Sequence, residues 1–339
     1  MCVAVNGRFL HQRLTGTQRY ACELVGRLSD CLEVIKPRRG TSGIQGHLWE
    51  QVVLPWRLKT RLLWSPVNTG PLTVRHQVVT IHDMAFVDHA YAFSPTFAAW
   101  YQWLVPKLAR RVPRIITVSN FSRERIADLC SVPIEKIVTI FNGVDPRFRP
   151  MSQLDIAQAK QSVGLPSRYI LCVGSLEPRK NIARLLAAWS LIRRKYPDLE
   201  LVLVGATATI FRDIGLDNSP PAVHLARYVR DEDLPAIYSG AECFVFPSLY
   251  EGFGFPVIEA MSCGVPVVCS NVTSLPEVAG GAAYIVDPYS ADSIASGIEA
   301  VVNSSALQAG LRERGFANAM RFSWERTAEI TLRILREVD

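Results

Sequence analysis

The sequence predicts an α/β protein of two domains, each built on a parallel sheet, and three observations carry that prediction. Its 339 residues exceed an average domain of about 100–200 residues, so two domains are the natural count. Hydrophobic residues make up 49% and charged residues 20%, the balance of ordinary globular chains, so periodicity can be read as structure. Short β-branched runs alternate with helical patterns along the chain, as strand–helix–strand units do around a parallel sheet.

In the first half, residues 2–5, 78–81 and 115–118 read as buried strands, and 17–28 and 95–110 as helices. A polar, proline-bearing stretch at 142–153 breaks the rhythm, which sets the first domain at residues 1–150 and the second at 151–320. Strands are expected in the second half at 169–173, 199–204, 243–246, 265–269 and 283–286. After Asn181, residues Ile182, Leu185, Leu186, Trp189 and Ile192 fall on one helical face. Ser323 is placed to cap a last helix reaching about Val338, within a final segment 321–339.

No apolar run reaches the roughly 18–20 residues of a membrane-spanning helix, and 199–211, interrupted by Glu200, comes nearest. Asn6, Gly7 and Arg8 end the first apolar stretch too early for a signal peptide, so a cytoplasmic protein is expected. Eight cysteines show no Cys-x-x-Cys pair, which favours packed, reduced thiols. Residues 1–150 carry 20 Lys and Arg against 10 Asp and Glu, whereas 151–339 carry 17 against 21. In the basic half Trp49, Trp56, Trp64, Trp100 and Trp103 interleave with Arg57, Lys59, Arg61, Lys107, Arg110 and Arg111. That pattern suits peripheral contact with an anionic membrane; the competing expectation is a solvated basic face over core tryptophans. Nucleic acid is not expected, because no zinc-finger, helix-turn-helix or RNA-recognition pattern is present.

Two motifs carry chemistry. The strand at 169–173 runs into Gly174-Ser175-Leu176-Glu177-Pro178-Arg179-Lys180-Asn181, ahead of a helix. A glycine at a strand end admits a ligand, the helix start offers N–H groups, and two adjacent cations balance phosphate, so the segment suits a diphosphate. The alternative is an ordinary turn with both cations solvated. The second motif, Glu251-Gly252-Phe253-Gly254-Phe255-Pro256-Val257-Ile258-Glu259, follows the strand at 243–246. Pro256 suits a first helical position, so Glu251 falls in the glycine loop and Glu259 in the first turn. Carboxylates accept paired hydrogen bonds from a diol, so one suits a ribose and the other sugar hydroxyls. For Glu259 the plainer reading is a complement to the helix dipole. Asp231-Glu232-Asp233 precedes apolar residues at helical spacing, so Asp231 reads as an N-cap and not as a metal ligand. The six histidines lack zinc-ligand spacing as well.

These motifs, together with Phe246-Pro247-Ser248 and the run from Glu259 through Val268, resemble the retaining glycosyltransferases of family four, which have the GT-B fold of two facing Rossmann-like domains. The resemblance is strong over residues 169–288, including Ser274-Leu275-Pro276-Glu277-Val278 and Val286-Asp287-Pro288, and recognisable at Ile81-His82-Asp83, Thr117-Val118-Ser119 and Asn142-Gly143-Val144-Asp145. It implies that the last helix crosses back to the first domain. It further implies that Arg179 and Lys180, with Gly174 and Ser175, bind the donor diphosphate and stabilise the leaving group. Glu259 would hold the ribose, and Glu251 with Gly252, Phe253 and Gly254 the transferred sugar. The base would lie near Tyr228 and Val229; His82, from the other domain, would reach the sugar, and Gly16 would bring N–H groups to the phosphate. His82 also fits a plain structural role at a strand end. Family members often carry a double glycine where this chain has Thr15-Gly16-Thr17, so Gly16 alone must allow the close approach. The segment 80–122 is similar to bacterial mannosyl- or rhamnosyl-type enzymes of surface polysaccharide assembly. That likeness implies a GDP-hexose first and a UDP-hexose second, with a glycan or lipid-linked oligosaccharide acceptor and no metal or other cofactor.

Other functions fit less well. A nicotinamide dehydrogenase needs Gly-x-Gly-x-x-Gly in its first strand-to-helix turn, and Val257 stands where Gly252-x-Gly254 would need its third glycine. Neither a Gly-x-Ser-x-Gly elbow nor a P-loop is present, against an α/β hydrolase or an NTPase. A sugar-nucleotide epimerase on the same scaffold and a two-lobed sugar-binding protein remain the closest rivals.

Overall fold

The computed structural model describes residues 2–12, 15–38, 43–58, 60–205, 221–226 and 229–339. The chain forms two compact units, one from residues 1–88, 95–143 and 323–339, the other from 89–94 and 144–322.

The first unit holds six parallel strands: β1 Val3–Asn6, β2 Leu32–Ile35, β3 Leu63–Ser65, β4 Gln77–Thr80, β5 Arg114–Thr117 and β6 Ile137–Thr139. Their order is β2-β1-β3-β4-β5-β6, so the strand order reverses between β1 and β3 while every pair stays parallel. Every residue of β1 and β4 is buried, as in strands covered on both faces. Trp49, Leu54 and Leu58 of a helical stretch pack onto Ala4 and Leu63. The last helix, Trp324–Val338, packs on the Gly16–Arg27 helix and on β4 and β5. Ser323 caps it by accepting from the Arg326 N–H, and Thr327 donates to the Phe141 carbonyl at 2.7 Å. Gly143 lets the chain pass this helix, since a Cβ there would lie 2.2 Å from the Trp324 nitrogen.

The second unit repeats the scheme with β7 Tyr169–Val173, β8 Glu200–Val204, β9 Val223–Ala226, β10 Cys243–Phe246, β11 Val267–Ser270 and β12 Ala283–Val286, all parallel. The order β12-β11-β10-β7-β8-β9, counted from β7, is the 3-2-1-4-5-6 arrangement of dinucleotide-binding sheets. In such sheets ligands bind outside the carboxyl ends of the strands where the order reverses, here between β7 and β10. The Ile182–Ile192 helix buries Ile182, Leu185, Trp189 and Ile192 against β7 and β8, on the face its spacing predicts.

Two expectations need correction. The Leu234–Ser239 helix is preceded by Asp233, not Asp231, because Pro235, which has no N–H to donate, fixes its first turn. The Asp233 carboxylate instead takes Arg230 at 2.8 and 3.0 Å. Glu259 is the fifth residue of the Phe255–Ser262 helix, one residue further in than expected, since the helix begins at Phe255, with Gly254 at φ 103° as its cap, and not at Pro256. The tryptophans of the basic half divide between the two alternatives that their spacing leaves open: Trp49 and Trp64 are core residues, whereas Trp56 and Trp103 are exposed. All eight cysteines are free thiols, five of them buried. Among the described residues no helix is long and apolar enough to cross a membrane.

Candidate active site at the sheet reversal of the second unit

The two sequence motifs leave the carboxyl ends of β7 and β10, the strands that flank the reversal. After Gly174 the chain makes one short turn, Pro178–Lys180, and Asn181 adopts φ 61°, a left-handed conformation that asparagine tolerates. Asn181 Nδ2 donates to the carbonyls of Pro247 (3.0 Å) and Pro288 (2.7 Å), which stitches together the loops after β7, β10 and β12. Gly205, directly after β8, lets the two strand ends approach, since a Cβ there would sit 1.8 Å from the Gly174 oxygen.

This stitching brings Arg179 and Lys180 onto one carboxylate. Lys180 Nζ and Ser248 Oγ donate to Glu251 Oε1, the hydroxyl at 2.6 Å, and Arg179 Nη1 donates to Oε2 at 3.1 Å. Arg179 also donates from Nη1 to the Tyr250 carbonyl at 2.9 Å and pairs through Nη2 with Glu177 Oε1 at 2.6 Å. Ser175 Oγ donates to the same Glu177 oxygen at 2.8 Å, so the loop holds its own countercharges. Burial alone would raise the Glu251 carboxyl pKa, but the Lys180 ammonium and Arg179 guanidinium outweigh it and hold the group below its ordinary value. Glu251 is therefore ionised at neutral pH. An ionised carboxylate has about four acceptor positions, three of which are taken, so one remains on Oε2. Ser274 Oγ, within reach of the Glu251 and Phe253 carbonyls, and Thr273 Oγ1, accepting from the Glu251 N–H, fix the loop around it.

Glu259 is buried on the Phe255–Ser262 helix and accepts the Tyr238 hydroxyl at Oε2, 3.0 Å away. Burial and the neighbouring Glu259 raise the Tyr238 pKa far above ten, so it stays a donor. Gly254, which opens the helix, has no room for a side chain: a Cβ would meet Leu275 at 2.7 Å. Sequence reading missed Tyr238, Glu177 and Ser248. The last two stand beside the motif cations and carboxylate in sequence, whereas Tyr238 comes from a separate helix and left no local signal. Val229 lines a surface cavity of about 480 Å³ with His224, Arg230 and Asp233, and Tyr228 lies outside the described residues.

In the first unit, His82 follows β4, buried, with Nε2 2.9 Å from the Pro66 carbonyl and its ring edge-on to Tyr20 at 4.8 Å. Burial pushes its pKa down to about 4, against the lift from that carbonyl, so the ring is neutral. Since Nε2 must carry the proton to donate to Pro66, Nδ1 is left as an acceptor. Gly16 is exposed as the first residue of the Gly16–Arg27 helix, after Thr15. Among the described residues no group of three or more His, Cys, Asp or Glu is arranged to hold a metal ion.

Comparison with known proteins shows the family. The profile of Glycosyl transferases group 1 matches residues 155–317, and that of Glycosyltransferase Family 4 matches residues 60–148. The chain is 40% identical over 271 residues to O-antigen chain mannosyltransferase B of Escherichia coli, a match covering 77% of this chain and 70% of that protein. Serotype-specific mannosyltransferase WbdA of Escherichia coli is 30% identical over 275 residues, 75% of this chain, which spans only 32% of that protein's length. Among solved structures, sucrose-phosphate synthase of Thermosynechococcus elongatus superposes with a TM-score of 0.78 at 20% identity, covering 100% of this chain and 99% of that one. Two parallel six-stranded sheets, a basic pair at the reversal of the second and these matches make the chain a member of the family four, group 1 glycosyltransferases, a hexosyltransferase with the GT-B fold.

Proposed function

We propose that the protein transfers mannose from GDP-mannose, with retention at the anomeric carbon, to a hydroxyl of a lipid-linked glycan in surface polysaccharide assembly. The observation that carries the reading is the convergence of Arg179 and Lys180 on Glu251 at the sheet reversal; the mannosyltransferase names of the relatives support the choice of sugar. The second unit binds the donor and the basic first unit meets the acceptor. The diphosphate, with Gly174, Ser175 and Gly16 beside it, draws Arg179 and Lys180 from Glu251. The same cations then stabilise the charge on the departing phosphate as the bond from C1 to its oxygen breaks. Glu251 takes a sugar hydroxyl at its remaining acceptor position, with Gly252, Phe253 and Gly254 lining the sugar. Glu259 holds the ribose, Tyr228 and Val229 flank the base, and the Nδ1 of His82 accepts from the sugar. As the acceptor oxygen bonds to C1 on the same face, its proton passes to the leaving phosphate. Protein cations stand where other transferases use a metal.

The test is a thermal-shift screen of sugar nucleotides followed by transfer to a mannan oligosaccharide in EDTA. GDP-mannose should raise the melting temperature through linkage, and NMR of the product should show a retained linkage. Stabilisation by UDP-hexoses alone would replace the donor. An inverted linkage would remove the mechanism, and activity lost in EDTA but restored by Mg²⁺ would remove the metal-free reading. A rearranged sugar nucleotide formed without acceptor would indicate an epimerase.

A further inference from the structure

Residues 43–58 of the first unit form one helical stretch: Gly43–Leu48, a π-helical turn Trp49–Val53, and Leu54–Leu58. One face is core, with Trp49, Leu54 and Leu58 packed on the sheet. The opposite face should be polar if it only met water. It carries Ile44, Leu48, Val52 and Trp56, exposed by 80, 59, 57 and 86%. These four stand at i, i+4, i+8 and i+12, a spacing that drifts by about 40° per step on an α-helix. The wider π turn takes some of that drift back and keeps them in one stripe.

His47 joins this stretch to the Pro95–Arg111 helix, which adds exposed aromatic and cationic side chains. The His47 ring lies 5.3 Å from Trp100, Trp100 stacks on exposed Trp103 at 5.2 Å, and Lys107 sits 4.1 Å over Trp103. Charge on these two helices has one sign. The only acid in either is Glu50, which is buried against Arg8, while Arg57, Lys107, Arg110 and Arg111 are exposed.

We infer that this face docks the protein on the surface of an anionic lipid bilayer, with Leu48, Val52, Trp56 and Trp103 entering the headgroup boundary and Arg57 and Lys107 meeting the lipid phosphates. An apolar helix face with cationic flanks and no exposed acid is the pattern of interfacial binding. A second copy of the chain would meet the same unopposed positive charge, which argues against self-association. The inference holds whichever sugar donor the enzyme uses.

The experiment is flotation of the full chain with vesicles of phosphatidylethanolamine and phosphatidylglycerol, against vesicles of phosphatidylcholine alone. Wild type should float with the anionic vesicles and release at high salt. Leu48→Ser/Trp56→Ser should weaken partition by roughly tenfold or more, since two large apolar side chains leave the boundary. Arg57→Glu/Lys107→Glu should lose binding to the anionic vesicles alone. All these side chains are exposed, so both variants should keep the wild-type melting temperature, and transfer to a soluble oligosaccharide should be unchanged. Flotation equal to wild type in both variants overturns the inference. So does a wild-type dimer by light scattering that the Leu48→Ser/Trp56→Ser variant turns into monomer. Failure of the transferase reading would instead appear as no transfer by wild type, whatever its flotation.

Discussion

The strand order of the two sheets reverses at comparable places, and beside each reversal a buried glutamate meets cations. In the first unit, Arg8 follows β1 and its Nε lies 3.0 Å from Glu50 Oε2. The same guanidinium donates to Thr69 at 2.7 Å and contacts His47 at 3.2 Å, while Glu50 also accepts from Asn6 at 2.8 Å and Thr69 at 3.0 Å. Glu50 is wholly buried, and this network closes on itself. In the second unit two cations share one carboxylate that keeps an acceptor position, and the side chains of Arg179 and Glu251 are 16 and 8% exposed, against 7 and 1% for Arg8 and Glu50. The same ion-pair chemistry thus serves as a staple where every partner is protein and water is excluded. It serves as a binding site where the partners can be exchanged.

If that contrast is right, its largest consequence falls on stability in the first unit. Glu50→Ala strands the Arg8 charge in the core and should cost about 3–5 kcal/mol of unfolding free energy in urea. A loss below about 1 kcal/mol would mean that water reaches Arg8 and that the network is not a staple. Lys180→Ala should act the other way round. Glu251 keeps Arg179 and Ser248, so the fold should survive. Transfer should fall by about 10²–10³, or about 3–4 kcal/mol, because charge on the leaving phosphate loses a donor. Equal losses of stability and turnover in both variants would erase the distinction between the two pairs.

A pH titration sharpens the same contrast. His82 is depressed to about 4 by burial, so between its ordinary value of 6.5 and 4 the unfolded chain binds a proton that the folded chain refuses. Its contribution is therefore present above pH 6.5 and is lost as pH falls toward 4, by about 2 kcal/mol between pH 7 and pH 5. Glu50 and Glu251 are depressed below 4.5, so their contributions fade only below that pH. Urea midpoints of wild type should drop from pH 7 to pH 5, and His82→Asn should flatten that step. A wild-type midpoint constant over this range would show that the ring is reached by water.

How much of this could be read from sequence followed the length and burial of each segment. Strands at 169–173, 243–246 and 283–286 were placed to the residue, because apolar runs bounded by turns announce them. β2, β3, β6 and β9 were missed. They have three or four residues each, Glu33 and His224 interrupt two of them, and their strand state is set by neighbours distant in sequence. The motif residues Arg179, Lys180 and Glu251 were legible because their chemistry is local. That they share one carboxylate was not, since the Asn181 bonds to Pro247 and Pro288 decide it. Gly205, far from Gly174 in sequence, carries a constraint that no local pattern displays. The tryptophans stay ambiguous for a similar reason: spacing alone cannot tell that Trp49 faces the sheet and Trp56 faces out.

The smallest expected effect tests whether the second unit's other glutamate is held ready for a ligand. Tyr238 is wholly buried and its hydroxyl donates to Glu259 Oε2, while Phe148 and Phe244 pack edge-on against its ring. Tyr238→Phe keeps those ring contacts and removes one buried hydrogen bond, worth about 1 kcal/mol. Should Glu259 grip the donor ribose, that loss of orientation appears as a roughly fivefold weaker donor Kd by calorimetry, with kcat nearly unchanged because the ribose is remote from the breaking bond. A fall in unfolding free energy with an unaltered Kd would instead make Tyr238 and Glu259 a second closed pair like Arg8 and Glu50. The binding site would then be confined to the loops that carry Arg179, Lys180 and Glu251.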